Sequence, residues 1–410
     1  MISNIQRKPK KVKYALLLAY QGQKYYGMQF QRNSQFPTIE SNLFDAMEAN
    51  GFINKENRNN LFDWQFQRAA RTDRSVSAVG QICSMHLPMD QNFLENGPQL
   101  LNNSLPEDIR VFGIKRVTPS FHSQKLCDSR SYSYTLPTFS FASMDELTND
   151  EYRISPERIE QLKEILHCYI GSHNFFNYTS GLFVYCLFSL FFLLANMWGL
   201  NSQISLPVVL LFQFPQTSNY FFNNIIFLLI LFRPFLYTDP STQRPFEFLR
   251  IKIRGQSFIL HQIRKLIGTV IAVMRGFMHK SDIGRSFLND GRMDIPKAPG
   301  LGLLLERLHY DRFEDRFLKT HGSLNNWGEI IENQLLQFRD EMIMDNILKE
   351  ECSTNNMFKW IETLPTHNYI TNPEDVENVV ENNNNFKKVE ENEEEFDDQV
   401  RRKRSKIAVD

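Results

Sequence analysis

Cysteine is scarce, with five residues in a chain of 410, scattered, in no Cys-x-x-Cys pair and in no Cys/His cluster at zinc spacing. This pattern excludes a disulfide framework and a structural zinc site, and a reduced intracellular setting is the simplest reading. Residues 1–14 carry charge but no apolar h-region, so no secretory signal is expected. Net charge is also nearly missing, at −1, which would argue against a polyanionic partner. The acidic end of the chain hides the balance, however, and without residues 371–410 the body is mildly basic, at about +4. The most unusual absence is local. Between Ile165 and Phe232 there is no Asp, Glu, Lys or Arg, although 23% of the chain is charged.

What is present suffices for two or three domains and a substantial core. Residues 12–20 read as a mostly buried strand. Residues 38–50 follow Pro37 with Ile39, Leu43 and Met47 on one helical face. Residues 109–117 and 131–136 read as further strands. A helix is announced by Ser155 as N-cap and Pro156 at its first position, continues through Ile159, Leu162 and Leu166, and stops at Gly171. Residues 249–254 (LRIKIR) alternate strictly, which turns Leu249, Ile251 and Ile253 inward and leaves Arg250, Lys252 and Arg254 as a basic stripe. Residues 257–276 read as a helix with an apolar arc from Ile259 to Met274. Arg264 falls at the edge of that arc, apart from His261 and Lys265 on the wetter side. Such an arginine either snorkels over the core or reaches into a half-buried site to pair with a carboxylate. Strands alternating with helices point to a mixed α/β sheet.

The richest stretch is 66–81, FQRAARTDRSVSAVGQ. Asp73 is its sole carboxylate, set between Arg71 and Arg74 and followed by small residues and a glycine. One reading is a turn in which the aspartate caps a neighbour and the arginines are solvated. The other is a loop approached closely by a large anionic ligand, in which the arginines meet phosphate and Asp73 serves another purpose.

The extended stretch resembles the catalytic loop of the tRNA pseudouridine synthase I family, the TruA-type enzymes, in its eukaryotic form. Upstream, residues 13–31 (KYALLLAYQGQKYYGMQFQ) are similar to the family's first strand and glycine turn, and Thr38-Ile39-Glu40 to the start of its first helix. Downstream, the similarity continues through Leu105-Pro106 with Asp108-Ile109-Arg110, and then residues 127–141 (CDSRSYSYTLPTFSF). It is completed by residues 171–175 (GSHNF), 255–268 (GQSFILHQIRKLIG) and 296–311 (PKAPGLGLLLERLHYD). These blocks stand in the family's order across most of residues 13–318.

The resemblance implies an α+β pseudouridine synthase fold: two ferredoxin-like halves sharing one mixed, mainly antiparallel central sheet flanked by helices, with a catalytic cleft between them. It implies isomerisation of uridine to pseudouridine in tRNA, with small nuclear or messenger RNA as further candidate substrates. Asp73 matches the catalytic aspartate, Arg264 the arginine paired with it, and Tyr132 the tyrosine that stacks on uracil. Leu303 and Leu305 match the apolar pocket wall, and Arg71 the arginine that enters the RNA stack as the target nucleotide leaves. Without the resemblance, Tyr132, Leu303 and Leu305 are equally ordinary strand packing. Arg250, Lys252 and Arg254 are expected to track phosphates. Isomerisation involves no redox change and no phosphoryl transfer, so no cofactor or metal is expected.

The chain divides accordingly into a basic disordered arm (1–12), an N-terminal catalytic half (13–150) and a C-terminal catalytic half (151–181 and 238–318). A C-terminal helical extension (319–370) and a disordered acidic tail with a basic end (371–410) follow. Residues 182–237 interrupt the family pattern, and the strand and loop expected soon after Arg244 look absent. The interruption reads as a membrane span, as a buried extra core element, or as non-native sequence such as translated intron. Composition favours the last, and a membrane association is not expected. Two rivals to the isomerase follow from it: an RNA-binding paralogue whose cleft cannot close, and a membrane-attached protein. The extension predicts a long helix over 327–351 and favours a monomer. Arg401-Arg402-Lys403-Arg404 leans towards nuclear import, with mitochondrion or cytoplasm as alternatives.

Overall fold

The computed structural model describes residues 10–31, 35–146, 148–180, 223–288 and 293–369. Most of the basic arm, residues 182–222 of the interruption, and the tail with its basic run lie outside the described residues.

The chain order begins β1 (Lys11–Tyr20), α1 (Ile39–Ala49), β2 (Gln67–Arg68), β3 (Ser77–Pro88), α2 (Gln91–Ser104) and β4 (Ile109–Val117). It continues with β5 (Ser129–Pro137), α3 (Pro156–His167), β6 (Gly171–Asn174), β7 (Asn223–Leu231), β8 (Phe235–Thr238), β9 (Pro245–Gly255), α4 (Gln262–Arg275) and β10 (Leu303–His309). One sheet runs β4-β1-β3-β10-β5-β9-β7-β6, with β2 on β3 and β8 on β9. The first half lays its strands in the order β4-β1-β3-β2 and the second repeats this as β10-β5-β9-β7. This is the twofold ferredoxin-like arrangement, mainly antiparallel as expected. The halves meet where β10 runs parallel to β3, pairing Leu304 with Ser77 and Leu305 with Ala78.

Local signals explain most boundaries. Thr38 and Ser41 close a capping box on α1, whose Ile39, Leu43 and Met47 are buried. Ser155 accepts from the Arg158 amide at 3.3 Å, with Pro156 opening α3. β1 is buried on both faces, because helices cover it from both sides. The helix expected over 257–276 starts only at Gln262, because His261 is left-handed at φ 64°, and it ends on Gly276 at φ 89°. Lys265, expected on the wet side, is turned inward, and its Nζ donates to the carbonyls of Asn177 and Thr179 at 3.3 and 3.2 Å.

The interruption is smaller than the sequence suggests. Residues 223–231 pair with β9 and β6, and residues 235–238 pair with β9, so this part belongs to the central sheet. The strand that looked missing after Arg244 therefore lies before it. Its uncharged run, Ile225 to Leu231, has the length of a strand, and although only Ile226 of that run is buried, the longer uncharged stretch before it conceals the signal. No described helix is long and apolar enough to cross a membrane.

After β10 comes α5 (Asp311–His321), and the C-terminal extension continues with α6 (Glu329–Phe338), a π-helical turn (Arg339–Met344), α7 (Asp345–Thr354) and α8 (Asn356–Ile361). The single helix expected over 327–351 is thus shorter at its start and interrupted by the π turn. Trp327 packs over Gly113, where a Cβ would come within 2.7 Å of the indole ring. Asn346 donates to the Gln23 side chain at 3.1 Å, and His367 meets Asp294 at 3.0 Å, so the extension holds both halves.

Candidate active site

Asp73 lies in the loop from β2 to β3, and the loop is fixed at nearly every residue. The buried Gln81 side chain accepts from the Ala70 amide at 3.2 Å and donates to its carbonyl at 2.7 Å. Thr72 Oγ1 bonds Tyr20 Oη at 2.8 Å, and the Thr72 carbonyl accepts from the Met28 amide at 3.1 Å. The Val76 amide closes back on the Asp73 carbonyl at 3.2 Å. Gly22 and Gly27 explain the glycine turn: a Cβ on Gly22 would sit 2.1 Å from the Val76 carbonyl oxygen, and Gly27 adopts φ +90° beside Thr72 and Asp73. The small residues here therefore serve backbone-to-backbone packing.

Arg130 extends the framework across the two halves. Its guanidinium donates to the carbonyls of Gln256 (2.8 Å), Ala69 (3.1 Å) and Gln124 (3.2 Å). It ties the strand leading into the Asp73 loop to the turn before α4. Glu40, fully buried, holds Arg68 and accepts from the Phe30 amide at 2.8 Å.

His261 Nε2 stands 3.7 Å from Asp73 Oδ2. Burial, together with Arg264, Lys297 and Lys265, pushes the imidazole down to about 2, so it faces the carboxylate as a neutral ring. Burial raises the Asp73 carboxyl above its usual range, while the charges of Arg264 and Lys297 oppose that rise. The expected Arg264–Asp73 pair is looser than the resemblance implies. Arg264 Nε donates to the Ala298 carbonyl at 2.6 Å, and among the described residues the guanidinium makes no ion pair with Asp73, acting on it at longer range. The reason is the left-handed residue at the start of α4, which places His261 in the nearer position. Sequence periodicity assigned His261 to the wet side, and only the backbone turn reveals it.

The strand register supplies the wall. Tyr132 lies opposite Leu305 and Ile253, and Tyr134 opposite Leu303 and Ile251. Residues directly opposite in a sheet leave the same face, so all six line one surface. Tyr132 is buried, with its ring edge-on to Phe258 at 5.3 Å, and burial raises its hydroxyl well above the ordinary tyrosine range. Arg71 is exposed on the loop.

The basic stripe leaves the opposite face. Lys252 reaches Glu306 at 3.9 Å, Arg254 reaches Asp311 at 3.3 Å and Ser129 Oγ at 2.9 Å, and Arg250 lies over the Phe232 ring at 4.5 Å. The fold therefore brings Asp73, Arg264, Tyr132, Leu303 and Leu305 towards one centre and holds Arg250, Lys252 and Arg254 away from it. His261, Lys297 and Arg130 join the centre without a distinct signal in the sequence.

A twofold ferredoxin-like sheet with one aspartate on a braced loop between the halves defines the pseudouridine synthase class. A family profile described as tRNA pseudouridine synthase matches residues 233–311, which include β8, β9, α4 and β10. The chain is 37% identical over 361 residues to the human pseudouridylate synthase 1 homolog, covering 86% of this chain and 73% of the relative. It is 36% identical over 370 residues to the mouse pseudouridylate synthase 1 homolog, covering 88% and 76%. It is 28% identical over 437 residues to tRNA pseudouridine synthase 1 of Yarrowia lipolytica, covering 86% and 73%. The chain belongs to the TruA-type tRNA pseudouridine synthase family, in its eukaryotic branch.

Proposed function

We propose that the chain isomerises uridine to pseudouridine in tRNA, with Asp73 as the catalytic carboxylate. The reaction breaks the N1–C1′ bond, turns the uracil and joins C5 to C1′, and the C5 proton is released as N1 gains one. The observation that carries the reading is a half-buried Asp73, braced on its loop and faced by α4, beside the wall of Tyr132, Leu303 and Leu305. An apolar wall suits a detached base that must not escape, and a target nucleotide must leave its RNA stack to reach it. Ionised Asp73 acts either as nucleophile at the sugar or base, or as the base removing the 2′ proton. Arg264 and Lys297 favour the ionised form. Arg71, exposed two residues earlier, would occupy the gap left by the extruded nucleotide. The stripe of Arg250, Lys252 and Arg254 would hold phosphate only on the far face, after its pairs with Glu306 and Asp311 open.

The continuous sheet, with β7 and β8 in place, favours the enzyme over an impaired RNA-binding paralogue. Pseudouridine mapping on tRNA treated with the chain, beside Asp73→Asn, tests the assignment. Product from the native chain and none from the variant is expected; equal product from both would remove Asp73 from its role. Import into the nucleus through Arg401-Arg402-Lys403-Arg404 belongs to the same reading, and is checked by localising the chain with those four residues changed to alanine.

A further inference from the structure

Beside the Asp73 loop three side chains form a short ladder. The Arg74 guanidinium lies over the Tyr26 ring at 4.4 Å, and Tyr26 stacks on Phe36 with centroids 4.2 Å apart and planes at 21°. The ladder is anchored at its inner end. Arg74 follows Asp73 directly, and the turn carrying Tyr26 is bound to the loop through Ser75 N to Tyr25 O at 3.2 Å and Met28 N to Thr72 O at 3.1 Å. Tyr26 N donates to the Pro37 carbonyl at 2.9 Å, which holds the two aromatic segments together. At its outer end Phe36 leaves 46% of its surface in solvent. The stacked pair thus begins on a cation beside Asp73 and ends on a half-exposed ring.

We propose that Arg74, Tyr26 and Phe36 form a stacking subsite for one unpaired RNA base flanking the target uridine, a deepening that rests on the isomerase reading above. When a nucleotide is extruded, its neighbour loses a stacking partner and water replaces it. Phe36 supplies a replacement face, already oriented, so little ordering entropy opposes the contact. The guanidinium at the base of the ladder polarises the rings towards an electron-rich nucleobase and places positive charge near the adjoining phosphate. Stacking of this kind accepts any base, because each has a π-face. The subsite therefore contributes affinity and register without reading sequence.

The full chain is titrated with a single-stranded oligouridylate carrying one 2-aminopurine, whose fluorescence falls on stacking. Wild type should quench the probe on binding. Phe36→Ala should lose the quench and bind about tenfold more weakly, with the slope of log K against log salt unchanged because no phosphate contact is removed. Phe36→Trp should restore both signals. Unaltered quench and affinity in Phe36→Ala, or a loss that appears only as a changed salt slope, would overturn the subsite. Pseudouridine formation on tRNA is scored in parallel to separate the two readings. Product with no dependence of binding on Phe36 removes the subsite alone; a Phe36-dependent quench without product removes the isomerase and leaves the subsite standing.

Discussion

The neutral imidazole of His261 faces Asp73 at 3.7 Å, and among the described residues no Lys or Arg forms an ion pair with that carboxylate. Its charge is balanced from a distance by Arg264 and Lys297, while the imidazole that faces it is held uncharged by burial.

His261 couples stability to acid pH. Its folded value of about 2 lies below the usual 6.5, so the unfolded chain binds a proton that the folded chain refuses. The stability is intact above 6.5 and is lost progressively as pH falls below it, by about 2 kcal/mol at pH 5. Asparagine tolerates the left-handed backbone at this position. His261→Asn should therefore flatten the fall in Tm between pH 7.5 and 5, and an equally steep fall would refute the coupling.

As the proposed catalytic carboxylate, Asp73 should set the acid limb of activity. Its carboxyl lies above the ordinary range, so kcat/KM should begin to fall at a higher pH than a solvated aspartate would give. Arg264→Gln removes a charge that opposes this rise and should push the limb still higher, with activity at pH 7 reduced at least about tenfold. Arg264→Lys should recover part of the shift. A limb that stays put in Arg264→Gln would show that the guanidinium does not act on Asp73.

Glu351, on α7 in the C-terminal extension, is fully buried, and burial pushes its carboxyl up to about 7. The folded chain thus keeps a proton that the unfolded chain releases, so its contribution is favourable at acid pH and is lost as pH rises towards 7. Glu351→Gln keeps an oxygen for the Met357 amide, which donates to Glu351 at 2.7 Å. The variant should match wild type near pH 5 and exceed it at pH 8, by on the order of 2 kcal/mol in denaturant unfolding. No gain at pH 8 would exclude an ionisation cost at this site.

Arg130→Met removes the donor shared by the Gln256, Ala69 and Gln124 carbonyls. Buried acceptors left without partners should cost about 3 kcal/mol, visible as a lower Tm, and catalysis should fall further because the Asp73 loop loses its tie to α4. Arg130→Lys should recover stability only in part, since an ammonium cannot reproduce the planar fork. A Tm unchanged in Arg130→Met would show that the three bonds are dispensable.

The legible parts of this protein are those set by local chemistry. Thr38, Ser155 and Pro156 mark helix starts through the first-turn amides, and the alternation in β9 correctly separates Leu249, Ile251 and Ile253 from the three bases. The same alternation is silent about which face carries Asp73, because that depends on how β5 and β10 dock beside β9. β7 is hard to read because its apolar run continues a longer uncharged one, and period alone does not mark where pairing begins. His261 falls on the wet side only if helical geometry starts at Ser257. A single left-handed residue broke that register and changed which side chain meets the carboxylate.

The parallel joint between β3 and β10 comprises just two residue pairs, Leu304 with Ser77 and Leu305 with Ala78. Those partners are separated by more than half the polypeptide, so this closure is among the costliest in loop entropy that the fold makes. During synthesis Asp73 emerges early and its loop can organise within the first ferredoxin-like unit, yet the leucines of the wall arrive only with the last strand. A nascent or truncated polypeptide ending before Leu303 would therefore carry Asp73 without the β10 leucines of the wall proposed for uracil.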